Sequence, residues 1–182
     1  MAFLTRRRIR RDLRNLAFIA LAVFVTPVLA TDTVPLEDAI KATFVYKFVP
    51  FVTWPSSQLA DFNVCTEGDD RVAELLAQTA SSQNIDGRVV SVRTLVAGQP
   101  TDDCRILYIA TTVPADAVLD STHGKPVLTI TQAGGPNHGI IQFVTIDHHV
   151  RFDIDTKLAA DDGLTISSKL LVLAHTVTQA GP

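Results

Sequence analysis

Two almost uninterrupted apolar runs, "CRILYIAT" (104–111) and "KPVLTITQ" (125–132), lie one short helical segment apart. A strand with one wet face alternates apolar and polar residues, whereas a strand covered on both faces reads as a run like these. The segment between them, "PADAVLDST" (114–122), opens on Pro114, a residue favoured in a first helical turn. The chain before and after follows the same grammar. "DFNVCTEG" (61–68) reads as a strand, "DDRVAELLAQTA" (69–80) as a helix with acids at its start, and "GRVVSVRTL" (87–95) as an alternating strand. After the loop "AGGPNHG" (133–139), strands at 140–146 and 150–155 flank Asp147-His148-His149 as a hairpin. "TKLAADDG" (156–163) is expected to be helical with Gly163 as its stop, and "SSKLLVLAHTVTQ" (167–179) to form a last helix capped by Ser167. Alternating strands and helices followed by a hairpin define an α/β fold. It is a layered sandwich of helices on a mostly parallel sheet, with antiparallel strands at one side. The 182 residues, 47% of them hydrophobic, suit one domain with a sizeable core.

The stretch "KATFVYKFVPFVTWP" (41–55) continues a helix opened by Pro35, with Glu37 and Asp38 in the first turn, where the helix dipole favours acids. Ile40, Phe44, Phe48 and Phe51 recur at helical spacing, and Val45, Val49 and Val52 widen their face. Lys41 falls within that arc but can pair with Glu37 four residues back. Pro50 cannot donate its N–H, so the helix is expected to kink or end near Val49. Trp54-Pro55 then makes an extended exit. On this spacing Tyr46, Lys47, Pro50 and Trp54 point away from the core.

The first thirty residues do not read as part of the fold. "MAFLTRRRIRRDLRNL" carries six arginines, "AFIALAVFVTPVLA" is an apolar run, and Val28 and Ala30 fit a small-residue cleavage site. That order describes a secretory signal. The run is shorter than the about 20 residues a spanning helix needs, and Pro27 breaks it, which favours cleavage after Ala30 over a retained anchor. The expected organisation is a signal peptide at 1–30 and an exported domain at 31–182, with no membrane span after cleavage. Six of the 16 basic residues and one of the 19 acidic ones leave with the signal, so the mature chain carries a net charge of −8. Nucleic-acid binding, which needs a basic patch, is not expected of such a chain. Cys65 and Cys104 are the two cysteines. Two buried free thiols are the alternative to a bridge, and an oxidising compartment favours the bridge.

Signatures of catalysis are missing. There is no G-x-S-x-G elbow, P-loop, dinucleotide fingerprint or H-E-x-x-H in the sequence. "SSK" (167–169) lacks the S-x-x-K spacing and reads as a cap followed by a solvated lysine. His138, His148 and His149 lack zinc-ligand spacing and read as exposed turn residues. The adjacent pairs Asp102-Asp103 and Asp161-Asp162 read as a loop and a helix end. No enzyme activity, cofactor or metal is expected.

The ordered blocks resemble a known family. "KATFVYKFVPFVTWP" is similar to the opening helix of YfiR-like periplasmic proteins, "GKPVLTI" (124–130), "GIIQFV" (139–144) and "VRFDI" (150–154) to their later strands, and "GLTISSKLLVLA" (163–174) to their closing helix. Cys65 and Cys104 fit a cysteine pair found in the family. The resemblance implies a repressor that engages the periplasmic sensor part of an inner-membrane diguanylate cyclase and holds down cyclic di-GMP synthesis, with a bearing on biofilm formation. It further implies sequestration by an OmpA-like outer-membrane lipoprotein, a homodimer, and redox sensitivity through disulfides. A second cysteine pair carried by some members is absent here, and Pro50 stands where many members place a polar residue. Candidate partner-binding residues are Tyr46, Lys47 and Trp54, from the geometry of the opening helix, and Arg151, Ser168 and Lys169, from the family-like blocks. The alternative is a periplasmic small-ligand-binding or sensor domain of another signalling system, using the crevice at the strand ends of an α/β sheet. A large exposed apolar patch would favour a protein partner, and a deep pocket with converging polar groups a small ligand.

Overall fold

The computed structural model describes residues 36–55, 62–68, 70–85, 87–135 and 137–179; the expected signal segment lies outside the described residues. The opening helix α1 spans Leu36–Phe48, and a 3-10 turn at Val49–Phe51 ends it where Pro50 forbids continuation. After the two-residue strand β1 (Val52–Thr53) come β2 (Phe62–Glu67), α2 (Arg71–Thr79), β3 (Asn84–Ile85), β4 (Arg88–Leu95), β5 (Ile106–Ile109), α3 (Ala115–Thr122) and β6 (Leu128–Gln132). The chain closes with β7 (Ile141–Ile146), β8 (His149–Asp155), α4 (Thr156–Asp161), β9 (Thr165–Ile166), α5 (Ser168–Leu171) and β10 (Thr176–Thr178).

Eight strands form the main sheet in the order β10-β8-β7-β6-β5-β2-β4-β3. The run from β4 through β2, β5 and β6 to β7 is parallel, and β7 pairs antiparallel with β8. The apolar runs are explained by their position. In β5, Ile106 and Tyr108 enter the core shared with α1 and α2, whereas Leu107 and Ile109 enter a second core under Val118 of α3. All four are buried because both faces are covered. The larger core also holds the aromatic set of α1: Phe48 meets Phe152 edge-on at 5.0 Å, and Phe44 stacks on Phe48 at 5.9 Å. The β7–β8 hairpin turns through Asp147 and His148, both left-handed (φ 48° and 61°), as tight two-residue hairpins require.

Three features depart from the sequence reading. The expected last helix over 167–179 is only the single turn α5, capped as expected by Ser167, whose Oγ accepts from the Lys169 N–H. Thr176, Val177 and Thr178 instead form β10, parallel to Asp153–Asp155 of β8. Two threonines and a valine are stiff in a helix, and β8 offers an open edge that a helix would leave unsatisfied. Two small pairings also join segments the sequence left unconnected. Val52 and Thr53 pair antiparallel with Ile166 and Thr165, and β3 pairs with the start of β4. Cys65 and Cys104 are bonded to each other, with Cα atoms 5.7 Å apart, both inside the second core. No helix among the described residues is long and apolar enough to cross a membrane.

Candidate functional site

The N-terminus of α1 sits over the C-terminal ends of the parallel strands, where open α/β sheets place their ligand crevice. A chain of polar side chains crosses that edge. Glu37 accepts from Thr145 Oγ1 at 2.8 Å and pairs with Lys41 at 2.7 Å. Lys41 Nζ donates to Gln132 Oε1 at 2.7 Å. The Gln132 amide donates in turn to Tyr108 Oη at 2.5 Å and to Asp70 Oδ2 at 3.1 Å, and Tyr108 donates to the same Asp70 oxygen at 2.7 Å. The other Asp70 oxygen caps α2 by accepting from the Ala73 N–H. Burial first, and the neighbouring Asp70 charge second, push the Tyr108 hydroxyl far above the ordinary tyrosine range. It therefore stays a donor, and the set ties α1, α2, β5 and β6 together as a clamp.

At its switch point the strand-end crevice is closed. The chain winds outward from β2 in both directions, so the switch point lies between β2 and β5. There Gly68, at φ +85°, lies so close to Val113 and Thr112 that a Cβ on it would collide with both. Between β5 and β6 lies a cavity of about 350 Å³, bordered by Thr131, Gln132, Asp116 and Asn137. Some of its polar side chains are already paired: Thr131 Oγ1 accepts from the Gly139 N–H, and Asn137 donates to Asp116. Among the described residues, the one cluster of metal-ligand type is Cys65, Asp103 and Cys104, and its two sulfurs are already joined.

The residues singled out by sequence separate into three groups. Tyr46 does not face outward. It is 8% exposed, and its hydroxyl donates to the Leu76 carbonyl at 2.7 Å, because α2 covers that side of α1. Trp54 is half-buried at the exit of β1. Its indole N–H donates to the Arg105 carbonyl at 3.3 Å and its ring meets Phe62 edge-on, so it pins the chain to the sheet. Lys47, Arg151, Ser168 and Lys169 are exposed. Lys47 stands on the rim of a shallow groove between α1 and α2 that has Ala42 and Leu75 in its walls.

The feature that the sequence reading missed lies beside Ser168 and Lys169. Val172 is 84% exposed and Leu173 is 63% exposed, consecutive aliphatic side chains standing in water at the end of α5. The Ser167 N–H donates to the Phe51 carbonyl, and the His175 N–H to the Phe152 carbonyl. Those two bonds anchor both ends of the segment, so the apolar step is held in a fixed place. Reading 167–179 as one continuous helix hid it, because the exposure of these residues follows from where α5 stops.

The chain is thus an α/β domain that carries an anchored apolar step on its surface. A family model described as YfiR/HmsC-like matches residues 38–175, and the chain belongs to that family. The family is regulatory rather than catalytic and points to periplasmic regulation of diguanylate cyclase signalling. No curated protein matches the chain.

Proposed function

We propose that this protein is a periplasmic repressor that binds the sensor part of an inner-membrane diguanylate cyclase and lowers cyclic di-GMP output. The partner seats on the step formed by Val172 and Leu173, with Ser168, Lys169 and Arg151 as its polar surround. The observation that carries this reading is the exposure of two consecutive aliphatic side chains, 84% and 63%, on a segment anchored at both ends. Aliphatic surface held rigidly in water is costly alone and favourable once a partner covers it. Lys47 and the α1–α2 groove offer a second contact on the same domain. Trp54 pins the chain to the sheet, and Tyr46 belongs to the core. The protein acts as a homodimer, and an OmpA-like outer-membrane lipoprotein competes for it. Family membership supports this reading over a small-ligand sensor.

Co-purification of the mature chain with the periplasmic part of the cyclase tests it. A complex that is lost in Val172→Asp/Leu173→Asp, with cyclic di-GMP rising on deletion of the gene, is the expected result. No complex, together with cyclic di-GMP unchanged on deletion, overturns it.

A further inference from the structure

Aliphatic side chains standing in water attract any apolar surface, so the charge around them is what selects a partner. The sequence holds 19 acidic residues against 16 basic ones, and six of the basic ones lie at or before Arg14. Positive charge on the described domain is therefore scarce, and most of it is already neutralised. Lys41, Arg71, Arg93, Lys125 and Lys157 each pair with a carboxylate, and Arg105 is also engaged. Only Lys47, Arg88, Arg151 and Lys169 hold no carboxylate among the described residues.

Two of those four border the apolar step. Lys169 lies three residues before Val172 and four before Leu173, a spacing that sets side chains on one side of a helical turn, and all three are exposed. Arg151, also exposed, immediately precedes Phe152, whose carbonyl accepts from the His175 N–H two residues beyond Leu173. Asp153 shares a side of β8 with Arg151, but it is His175 that holds its carboxylate, at 3.0 Å. On a chain whose other cations are mostly paired, the step is thus collared by free positive charge.

We propose that the surface covering Val172 and Leu173 is acidic: the cyclase sensor brings an apolar anchor flanked by carboxylates, and Lys169 and Arg151 draw those carboxylates in. This rests on the step being the seat of the sensor, and it specifies the chemistry of the face that the sensor presents. Rim charges of this kind add little to final affinity but steer the encounter, so they are read in the association rate. An anionic lipid surface is the other partner that such a collar could meet. Lipid recognition calls for a cluster of about four or more basic residues and a broad apolar face. A protein interface needs only a few anchoring side chains at its centre.

Surface plasmon resonance of the mature chain against the isolated periplasmic part of the cyclase tests it, with salt varied from about 0.05 to about 0.5 M. Lys169→Glu/Arg151→Glu is expected to associate about tenfold more slowly at low salt, with dissociation changed less than about threefold. Rising salt is expected to slow the wild type and to leave that variant unslowed. Lys169→Arg/Arg151→Lys is expected to keep the wild-type rates. Equal association of wild type and charge-reversed variant, in a complex that still forms, overturns the acidic face and leaves the cyclase reading in place. Absence of any complex with the wild type overturns both. Sedimentation with phosphatidylglycerol vesicles that the charge reversal abolishes, with association to the sensor unchanged, assigns the step to a lipid surface and likewise overturns the proposal.

Discussion

The hydroxyl of Tyr46 reaches across the contact between α1 and α2 to the Leu76 carbonyl, which also accepts the Ala80 N–H that closes α2. Tyr46→Phe removes one bond without orphaning that carbonyl, so it is expected to cost only about 1 kcal/mol in urea unfolding. A loss of partner binding in that variant, with stability unchanged, would return Tyr46 to the interface. Helical spacing placed Tyr46 and Lys47 on one outward side, and for Lys47 that is right. The periodicity of a single segment says nothing of which second helix lies against it, and α2 claims the Tyr46 side. Asp162 is the residue for which burial and pH meet. Its carboxylate accepts from the Gly124 N–H at 2.7 Å and lies 3.3 Å from His123, yet burial, the largest influence, raises its pKa above the ordinary 3.8. A folded pKa above the unfolded one means the folded chain holds the proton more tightly. This contribution to stability is therefore present below 3.8 and lost as pH rises through the folded value. Asp162→Asn keeps an oxygen for Gly124 and has no proton to lose. Thermal melts are expected to place it level with or above wild type at neutral pH, the gap closing on acidification. A deficit that grows with pH would show that the His123 pairing outweighs burial.

At the level of elements, β10 is the instructive case. The sequence from Ser167 onward carries a cap and then aliphatic residues, which is enough to start a helix, and α5 does start. What ends it is tertiary: the His175 N–H donates to the Phe152 carbonyl at 2.8 Å, and the three residues that follow complete the ladder on β8. A strand that exists because its neighbour has a free edge leaves little mark on its own sequence beyond β-branching. His175→Pro deletes the N–H that makes the switch and is expected to destabilise by about 2–3 kcal/mol. His175→Ala keeps the N–H and loses the exposed ring contacts with Asp153, at 3.0 Å, and with Thr176 Oγ1, at 3.1 Å, so it is expected to stay within about 1 kcal/mol of wild type. Equal losses in the two variants, measured by urea unfolding, would mean that the ring rather than the backbone holds β10. By contrast, β5, β6 and the β7–β8 hairpin were legible. Strands covered on both faces write their burial into an unbroken apolar run, and a two-residue turn needs residues that tolerate left-handed angles.

For the molecule as a whole, the layered sheet could be read because its logic is repeated along the chain, whereas the candidate docking surface could not. Val172 and Leu173 look like core residues in sequence, and their exposure follows only from the shortness of α5 and the two backbone bonds that anchor its flanks. The clamp from Glu37 to Asp70 was equally hidden, because its members come from four elements that are distant in sequence. The two regions make different demands on substitution. The clamp is cooperative and centred on the buried Lys41 and Tyr108, so changing it disturbs the fold. The apolar step makes few contacts within the domain, so it can be altered without a structural penalty. Val172→Asp/Leu173→Asp is therefore expected to change unfolding free energy by no more than about 0.5 kcal/mol per site. Affinity for the cyclase sensor is expected to fall by at least about thirtyfold, as when anchor residues of an interface are lost, and mostly through faster dissociation. Titration calorimetry, with circular dichroism melts of the same preparations, separates the two quantities. Unaltered affinity in a folded double variant would move the interface away from α5, leaving the groove beside Lys47 as the surface to probe next.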